Sequence, residues 1–268
     1  MLRRRILRRK TGGFVGAYDV FAASLAHVYE PARRALTSYT GALCRLRRAS
    51  DDADLDWGYL ANGDLDVVSI AAWAGGASYV VSVYDQVAGD TITQAVKVNQ
   101  PLFVASAQNG YAGMTFDGTN DYLKGAFTTG GALSQPITYY STASSIAPID
   151  HRYILCDDTD IDGVIRYQGG SVNVYFGVSI SASAIDNTTK IVGVTANGVS
   201  STVRTNGVSV AGNAGAYNPN GITLGAQSGG ADNFWSGNIL SVIICDPALS
   251  LADQVTLESL LNTRWAVY

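Results

Sequence analysis

The sequence predicts an all-β fold, a sandwich of many short strands, and three observations predict it. The first is composition: the 268 residues include 29 Gly and 15 Tyr but only two Glu and two Met, which suits sheets and tight turns better than helices. The second is a series of short apolar runs separated by turn signals. The third is the recurrence of Asn-Gly pairs.

The apolar runs give the predicted strands in order. They occupy residues 79–84, 137–140, 152–155, 164–167, 172–177, 190–195 and 239–245. Asn-Gly pairs supply the positive backbone angles of two-residue hairpin turns, and they begin at Asn62, Asn109, Asn197, Asn206 and Asn220. Many strands punctuated by such turns are typical of a sandwich or barrel.

One helix is predicted, at the end of the chain. Ser250 can cap its first turn, with Asp253 three residues later. The apolar residues that follow form a broad face, consisting of Leu251, Val255, Leu257, Leu260, Leu261 and Trp265. We expect this helix to pack across the sandwich and to end the domain.

Charge is distributed unevenly along the chain. The first 48 residues carry a net charge of +9 and the remainder −13. We therefore predict a basic arm over residues 1–20 and one sandwich domain over 21–268. The densest part of the arm is expected to mediate assembly through salt-sensitive contacts, and it contains Arg3, Arg4, Arg5, Arg8, Arg9 and Lys10.

Two motifs resemble a known fold family. The stretch FDGTNDYL (116–123) resembles the aspartate-rich turn of concanavalin A-like, laminin-G-like jelly-roll domains. The closing stretch FWSGNILSVIICDPALSLADQ (234–254) resembles the usual end of those domains, an aromatic–x–Gly turn followed by a core strand and a short helix. The resemblance implies a concanavalin A-like jelly roll. Asp117 and Asp121 are expected to form the turn by accepting backbone hydrogen bonds.

An upstream pattern resembles the catalytic domain of family B α-L-arabinofuranosidases and many bacteriophage virion proteins. It combines SYTGALCRLRRASDD (38–52) with VVSVYDQVAGDTITQ (80–94). The matching residues are Tyr39, Gly41, Arg47, Arg48, Ser50, Asp51, Tyr84, Asp85, Gln86 and Gln94. Where the family reads Ser-Gly-Asn-Gly, this chain has residues 87–90, Val-Ala-Gly-Asp. Arg47 or Arg48 is expected to pair with Asp51 or Asp85.

Catalysis is not expected from this pattern. The resemblance implies a Glu and an Asp on the sheet and a sugar seated on a disulfide between adjacent cysteines, but the three cysteines are far apart. Glu30 and Glu258 lie outside the matching segments, and only two histidines, His27 and His151, are present. The sequence therefore predicts a protein that is not an enzyme.

Two groups of residues are candidate binding sites. Asp158, Asp160 and Asp162 alternate before Gly163 like the opening of a calcium loop, although Gly169 stands where the bidentate Glu belongs, so a hairpin tip without a cofactor is the alternative. The candidate ligand-binding residues are three aromatic residues and two residues of the polar loop. The aromatic side chains either stack on sugars or pack in the core. They are Trp57, Asp85, Gln86, Tyr122 and Trp235.

Together with the basic arm, the resemblance to bacteriophage virion proteins implies a virion structural protein of the head or tail with a lectin-like sandwich. Its expected partners are other virion proteins, further copies of itself and host surface glycan. Nucleic-acid binding is not expected, because the body offers no broad basic face, and the absence of a long apolar run predicts no membrane span. The alternative is a carbohydrate-binding module or an arabinofuranosidase-like glycoside hydrolase.

Overall fold

Antiparallel strands dominate the fold. The computed structural model describes residues 14–147 and 151–268, and within these ranges it contains 18 strands and two α-helices. The first half of the strands are β1 (Leu25–Tyr29), β2 (Cys44–Arg48), β3 (Asp54–Trp57), β4 (Ser78–Val83), β5 (Ile92–Thr93), β6 (Leu102–Gln108), β7 (Tyr111–Asp117), β8 (Leu123–Ala126) and β9 (Ile137–Ser145). The prediction of an all-β jelly-roll sandwich is confirmed.

The second half of the chain supplies nine more strands and a terminal helix. The strands are β10 (Arg152–Cys156), β11 (Val164–Gln168), β12 (Ser171–Tyr175), β13 (Ser179–Ala184), β14 (Thr189–Ala196), β15 (Ser201–Thr205), β16 (Val208–Gly212), β17 (Gly221–Leu224) and β18 (Ser236–Cys245). The helices are α1 (Val67–Ala74) and α2 (Leu251–Trp265).

Two runs of paired strands form the layers. In one, β1 and β9 both pair with β18, and β14, β15 and β16 follow β9 in that order. In the other, β3, β2, β4 and β5 lead through β8 and β17 to β10, β11, β12 and β13. The runs are joined where β6 pairs with β4 and β7, and β7 pairs with β18.

The core lies along β9 and β18, whose residues are buried on both faces. Tyr139, Phe176 and Trp265 are among its largest buried side chains. A continuous buried run of this kind is expected of central strands covered on both sides. The apolar sequence run at 239–245 therefore marks the centre of the fold.

The terminal helix α2 begins as predicted. Ser250 is its N-cap and accepts a hydrogen bond from the backbone N of Asp253 at 3.2 Å. The predicted apolar face is only partly right, because Leu251 and Val255 are 64% and 50% exposed. Polar residues replace them on the buried face, where Glu258 is among the buried side chains.

The folded domain begins earlier than residue 21. Tyr18 is fully buried, and its hydroxyl donates to Glu30 at 2.8 Å. The guanidinium of Arg34 lies 4.7 Å from the ring centroid of Phe14. Residues 14–20 were predicted to belong to the arm, but they pack on the domain. The six basic residues predicted to mediate assembly lie outside the described residues, and among the described helices none is long and apolar enough to cross a membrane.

Candidate functional site

A cleft of about 660 Å³ lies where β2, β4, β6 and β7 run side by side. Its floor is a row of residues in register across these strands: Arg47 pairs with Tyr79, Tyr79 with Leu102, and Leu102 with Thr115. Its complete lining is Arg47, Ala49, Asp52, Tyr79, Lys97, Val98, Gln100, Leu102, Thr115, Asp117 and Asp121. The volume suits a small organic ligand.

One side of the cleft, which we call the acidic wall, consists of Asp117 and Asp121. Asp117 ends β7, two residues after Thr115, so its side chain emerges on the same face of the strand. Its Oδ1 accepts hydrogen bonds from the backbone N of Thr119 and Asn120. Asp121 Oδ2 accepts one from the backbone N of Asp117 at 2.9 Å. The predicted turn-forming role of both aspartates therefore agrees with the geometry, and both also face the cleft.

The carboxyl group of Asp121 is the main titratable feature of the acidic wall. Its side chain is 6% exposed. Burial raises its pKa to about 7, and the negative charge of Asp117 contributes to the increase, although the hydrogen bond from the Asp117 backbone opposes it. A carboxyl group with this pKa can donate a proton near neutral pH.

A second group in the lining, which we call the basic corner, contains Arg47, Lys97 and Asp52. Asp52 accepts a hydrogen bond from each cation, at 2.7 Å from Arg47 Nη1 and 2.7 Å from Lys97 Nζ. These contacts, with that from Lys97 the larger, lower the pKa of Asp52. Arg47 Nε also donates to Gln100 Oε1 at 2.7 Å, and its guanidinium lies 4.7 Å from the ring centroid of Tyr79. The arginine is therefore held rigidly.

The turn carrying Asp52 orients this carboxylate. The backbone of Asp52 has a φ of 60°, in the left-handed region that Asp tolerates better than most residues. Its neighbour Asp51 forms a separate ion pair with Arg48, with Nη2 to Oδ2 at 2.6 Å. The predicted Arg48–Asp51 pair is thus present, whereas Arg47 pairs with Asp52 and not with Asp51 or Asp85.

Asp85 and Gln86, which were predicted to bind ligand, are buried structural residues. Asp85 Oδ1 accepts the backbone N of Val28 at 2.8 Å, and its Oδ2 contacts His27 Nδ1 at 2.9 Å. Gln86 donates to the backbone carbonyls of Glu30 and Arg33. These contacts fix the start of the domain against the 85–90 loop, and neither residue lines the cleft.

Replacing Asp85 with Ala is expected to lower the free energy of unfolding by about 3–5 kcal/mol, because several buried hydrogen-bond donors lose their acceptor. Besides Val28 and His27, the backbone N groups of Val87 and Ala88 bond to this carboxylate. Urea denaturation measures the change. An unchanged midpoint together with lost sugar binding would show that Asp85 is a ligand-binding residue after all.

The three aromatic candidates lie apart from one another. Trp235 is fully buried and packs edge-on against Tyr167, with centroids 4.9 Å apart, so its predicted ligand contact is corrected to a core role. Trp57 is partly buried and packs edge-on against Trp73 at 5.4 Å. Tyr122 is also partly buried, next to Asp121, but it does not line the cleft.

The predicted calcium loop forms a hairpin tip between β10 and β11. Asp157, which was not singled out from the sequence, organises the tip by accepting the backbone N groups of Thr159 and Asp160. Burial raises the pKa values of Asp158 and Asp162. Within residues 14–147 and 151–268, no group of three or more His, Cys, Asp or Glu side chains is arranged to hold a metal ion. Calcium binding at this tip stays a prediction.

Both glutamates are engaged in buried ion pairs. Glu30 contacts Arg33 Nε at 2.8 Å, and Glu258 contacts Arg204 Nε at 2.5 Å. Neither lines the cleft. The three cysteines are buried and unpaired, so the described chain has no disulfide on which a sugar could sit.

Sequence reasoning missed Lys97 and Gln100 as cleft residues. They lie in and after a 3₁₀ turn, Lys97–Asn99, which no hydrophobic period announces. Their one sequence signal was their position shortly after the polar loop that ends at Gln94.

Comparison with known proteins gives a fold likeness. No family model and no curated protein matches the chain. Among solved structures, it is similar to an α-L-arabinofuranosidase of glycoside hydrolase family 54 soaked with a cyclic sulfate inhibitor: identity is 16%, the TM-score is 0.71, and the match covers 93% of this chain and 64% of that one. It is also similar to an arabinofuranosidase complexed with arabinofuranosyl-α-1,2-xylobiose. Here the identity is 16%, the TM-score is 0.71, and the match covers 94% of this chain and 65% of that one.

The chain thus spans slightly less than two thirds of these arabinofuranosidases. The comparison corrects two expectations, that the protein is a bacteriophage virion component and that it is not an enzyme, because the fold over almost the whole chain is similar to that of arabinofuranosidases. It gives no support to a place in a virion.

Proposed function

We propose that the protein is a glycoside hydrolase of the arabinofuranosidase-like kind, with the cleft as its active site. The observation that carries the proposal is Asp121, a buried carboxyl group whose pKa is raised to about 7 and which lies beside a second carboxyl group in a cleft of ligand size. The fold likeness to arabinofuranosidases supports the substrate class.

Asp121 has the properties of the general acid. Glycosidases use one protonated carboxyl group to protonate the oxygen of the departing alcohol as the glycosidic bond breaks. Below pH 7 the Asp121 carboxyl is largely protonated. The backbone N of Asp117 holds Oδ2 in place, so the proton is presented from a fixed position.

Asp117 has the properties of the second carboxylate. Two backbone N–H groups fix its Oδ1, and among the described residues no hydrogen bond engages its Oδ2. That oxygen is available to attack the anomeric carbon or to activate water. Both catalytic groups in this proposal are aspartates, because the two glutamates of the chain are committed to buried ion pairs.

The basic corner would position the sugar. Arg47 and Lys97 retain hydrogen-bond donors beyond those used by Asp52 and Gln100. Exposed Val98 and the side chain of Leu102 offer aliphatic surface to the apolar face of a sugar ring.

The test is hydrolysis of aryl glycosides by the full chain, with 4-nitrophenyl α-L-arabinofuranoside as the first substrate and the corresponding pyranosides beside it. We expect release of nitrophenol, with kcat/KM falling as the pH rises through about 7, because the general acid then loses its proton. Saturable sugar binding without turnover would reduce the proposal to glycan binding. Absence of both would overturn it.

A further inference from the structure

The basic corner has an excess of positive charge that its own residues do not neutralise. Arg47 and Lys97 share a single carboxylate, that of Asp52. Among the described residues, no other carboxylate lies within 4.0 Å of either cation. Two positive charges and one negative charge leave the corner with a net charge of about +1.

The corner also has more hydrogen-bond donors than acceptors. Lys97 Nζ carries three N–H groups, and among the described residues it makes one side-chain hydrogen bond, to Asp52 Oδ2. Within residues 14–147 and 151–268, the hydrogen bond of Arg47 Nη2 is a long one of 3.4 Å, to the carbonyl of Lys97. Both side chains line the cleft, so the spare donors face space that a ligand can occupy.

Arg47 is largely buried and is held in a fixed orientation. Its side chain is 9% exposed, and Tyr79 and Gln100 hold its plane on two sides. Asp52 supplies one anionic partner for this guanidinium, but it shares that carboxylate with Lys97, so one positive charge of the corner stays uncompensated. Its fixed, planar donor fork matches a carboxylate better than a hydroxyl group.

We infer that the cleft recognises a sugar that carries a carboxylate, a uronic acid unit, with this carboxylate bound between Arg47 and Lys97. The inference rests on the proposed function and adds the substrate class. The acidic wall sets the orientation, because the carboxylate of Asp117, which also lines the cleft, repels the carboxylate of the sugar. The uncharged part of the ligand then faces Asp121, where the glycosidic bond would be cleaved.

The experiment compares D-galacturonate with D-galactose, which differ only in the oxidation state of C6, by isothermal titration calorimetry with the full chain. We expect galacturonate to bind about 10-fold or more tightly, as a charge-assisted hydrogen bond provides. Rising salt should reduce this preference, since Lys97 is partly exposed. Equal affinity for the two sugars would overturn the inference.

Two substitutions identify the corner as the source of the preference. Lys97→Met should remove most of it, whereas Lys124→Met, a control lysine outside the cleft lining, should leave it unchanged. Asp52→Asn should strengthen galacturonate binding, because it removes the carboxylate that competes for both cations. A preference that survives Lys97→Met, or that weakens in a folded Asp52→Asn variant, contradicts the inference.

The outcomes separate this inference from the proposed function. Hydrolysis of neutral aryl glycosides without any preference for uronates leaves the function standing and refutes the uronate site. Galacturonate binding that depends on the basic corner, without hydrolysis of any aryl glycoside or uronide, leaves the uronate site standing and refutes the proposed function. Competition by inorganic sulfate at the same concentration as galacturonate would mean that the corner binds anions generally, and it would refute selection of the carboxylate.

Discussion

Replacing Asp121 with Asn is expected to lower the rate of glycoside hydrolysis by about 10²–10⁴-fold, the usual contribution of a general acid. Asparagine keeps the acceptor for the backbone N of Asp117, but its amide has no acidic proton to transfer to the leaving group. The loss should be in kcat, with sugar affinity nearly unchanged. Aryl substrates with very acidic leaving groups should lose less activity, since they need less protonation.

Asp51→Asn is the matched control for this substitution. Asp51 is also an aspartate near the cleft, but it pairs with Arg48 and does not line the cavity. We expect it to retain full activity. If Asp121→Asn hydrolyses as fast as the parent protein, or if Asp51→Asn loses as much, the assignment of the general acid is wrong.

The same variant has a stability signature. Because the folded pKa of Asp121 lies above the ordinary value of an aspartate, its ionisation opposes folding, and this penalty grows as the pH rises from about 4 to about 7. Asp121→Asn removes the penalty. The variant should therefore be at least as stable as the parent above pH 7, which excludes misfolding as the cause of lost activity.

Replacing Glu258 with Gln is expected to lower the free energy of unfolding by about 3–5 kcal/mol, because Arg204 would remain buried without a counter-ion. Glu258 is 3% exposed and Arg204 8%. The carboxylate contacts Arg204 through both oxygens, at 2.5 and 2.9 Å, and also accepts from the hydroxyl of Tyr140 at 2.9 Å. This network fixes α2 to β15 and β9.

A double substitution separates the ion pair from simple packing. Glu258→Met combined with Arg204→Met removes both charges and keeps apolar bulk, so it should recover most of the stability lost by Glu258→Gln. Urea denaturation of the three proteins measures the difference. The pair would not stabilise the helix if Glu258→Gln lowered the free energy of unfolding by less than about 1 kcal/mol. The same would follow if the double variant were no more stable than Glu258→Gln.

The sandwich could be predicted because its signals are local. Asn109 and Asn206 both have positive φ at hairpin turns, between β6 and β7 and between β15 and β16. Other Asn-Gly pairs serve different purposes: Asn197 precedes a 3₁₀ turn, and Gly221 begins β17. The dipeptide therefore predicts a change of direction more reliably than it predicts a hairpin.

The helix α1 was not predicted because its sequence, VVSIAAWA, contains a single polar residue and therefore shows no alternation of polar and apolar faces. Its boundaries follow from local chemistry, since Asp66 accepts the backbone N of Ser69 and Gly75 adopts a left-handed conformation. The short apolar run alone is compatible with a strand. Capping at both ends decides the outcome here, although the overall composition favours strands.

The cleft was harder to predict than the fold because its members come from four strands and three connecting segments. Arg47 and Asp117 were both noticed in separate motifs, but only the strand register from β2 to β7 brings them into one cavity. The polar loop residue Asp85 looked equally functional in the sequence. Its burial against backbone N–H groups, which composition cannot reveal, makes it structural.

The most direct test of the central claim is a crystal structure of the Asp121→Asn variant soaked with 4-nitrophenyl α-L-arabinofuranoside. We expect the sugar to bind in the cleft, between Arg47 and the residue at position 121, with its glycosidic oxygen facing the new amide. A sugar bound instead at the hairpin tip formed by residues 157–162, with the cleft empty, would contradict the claim.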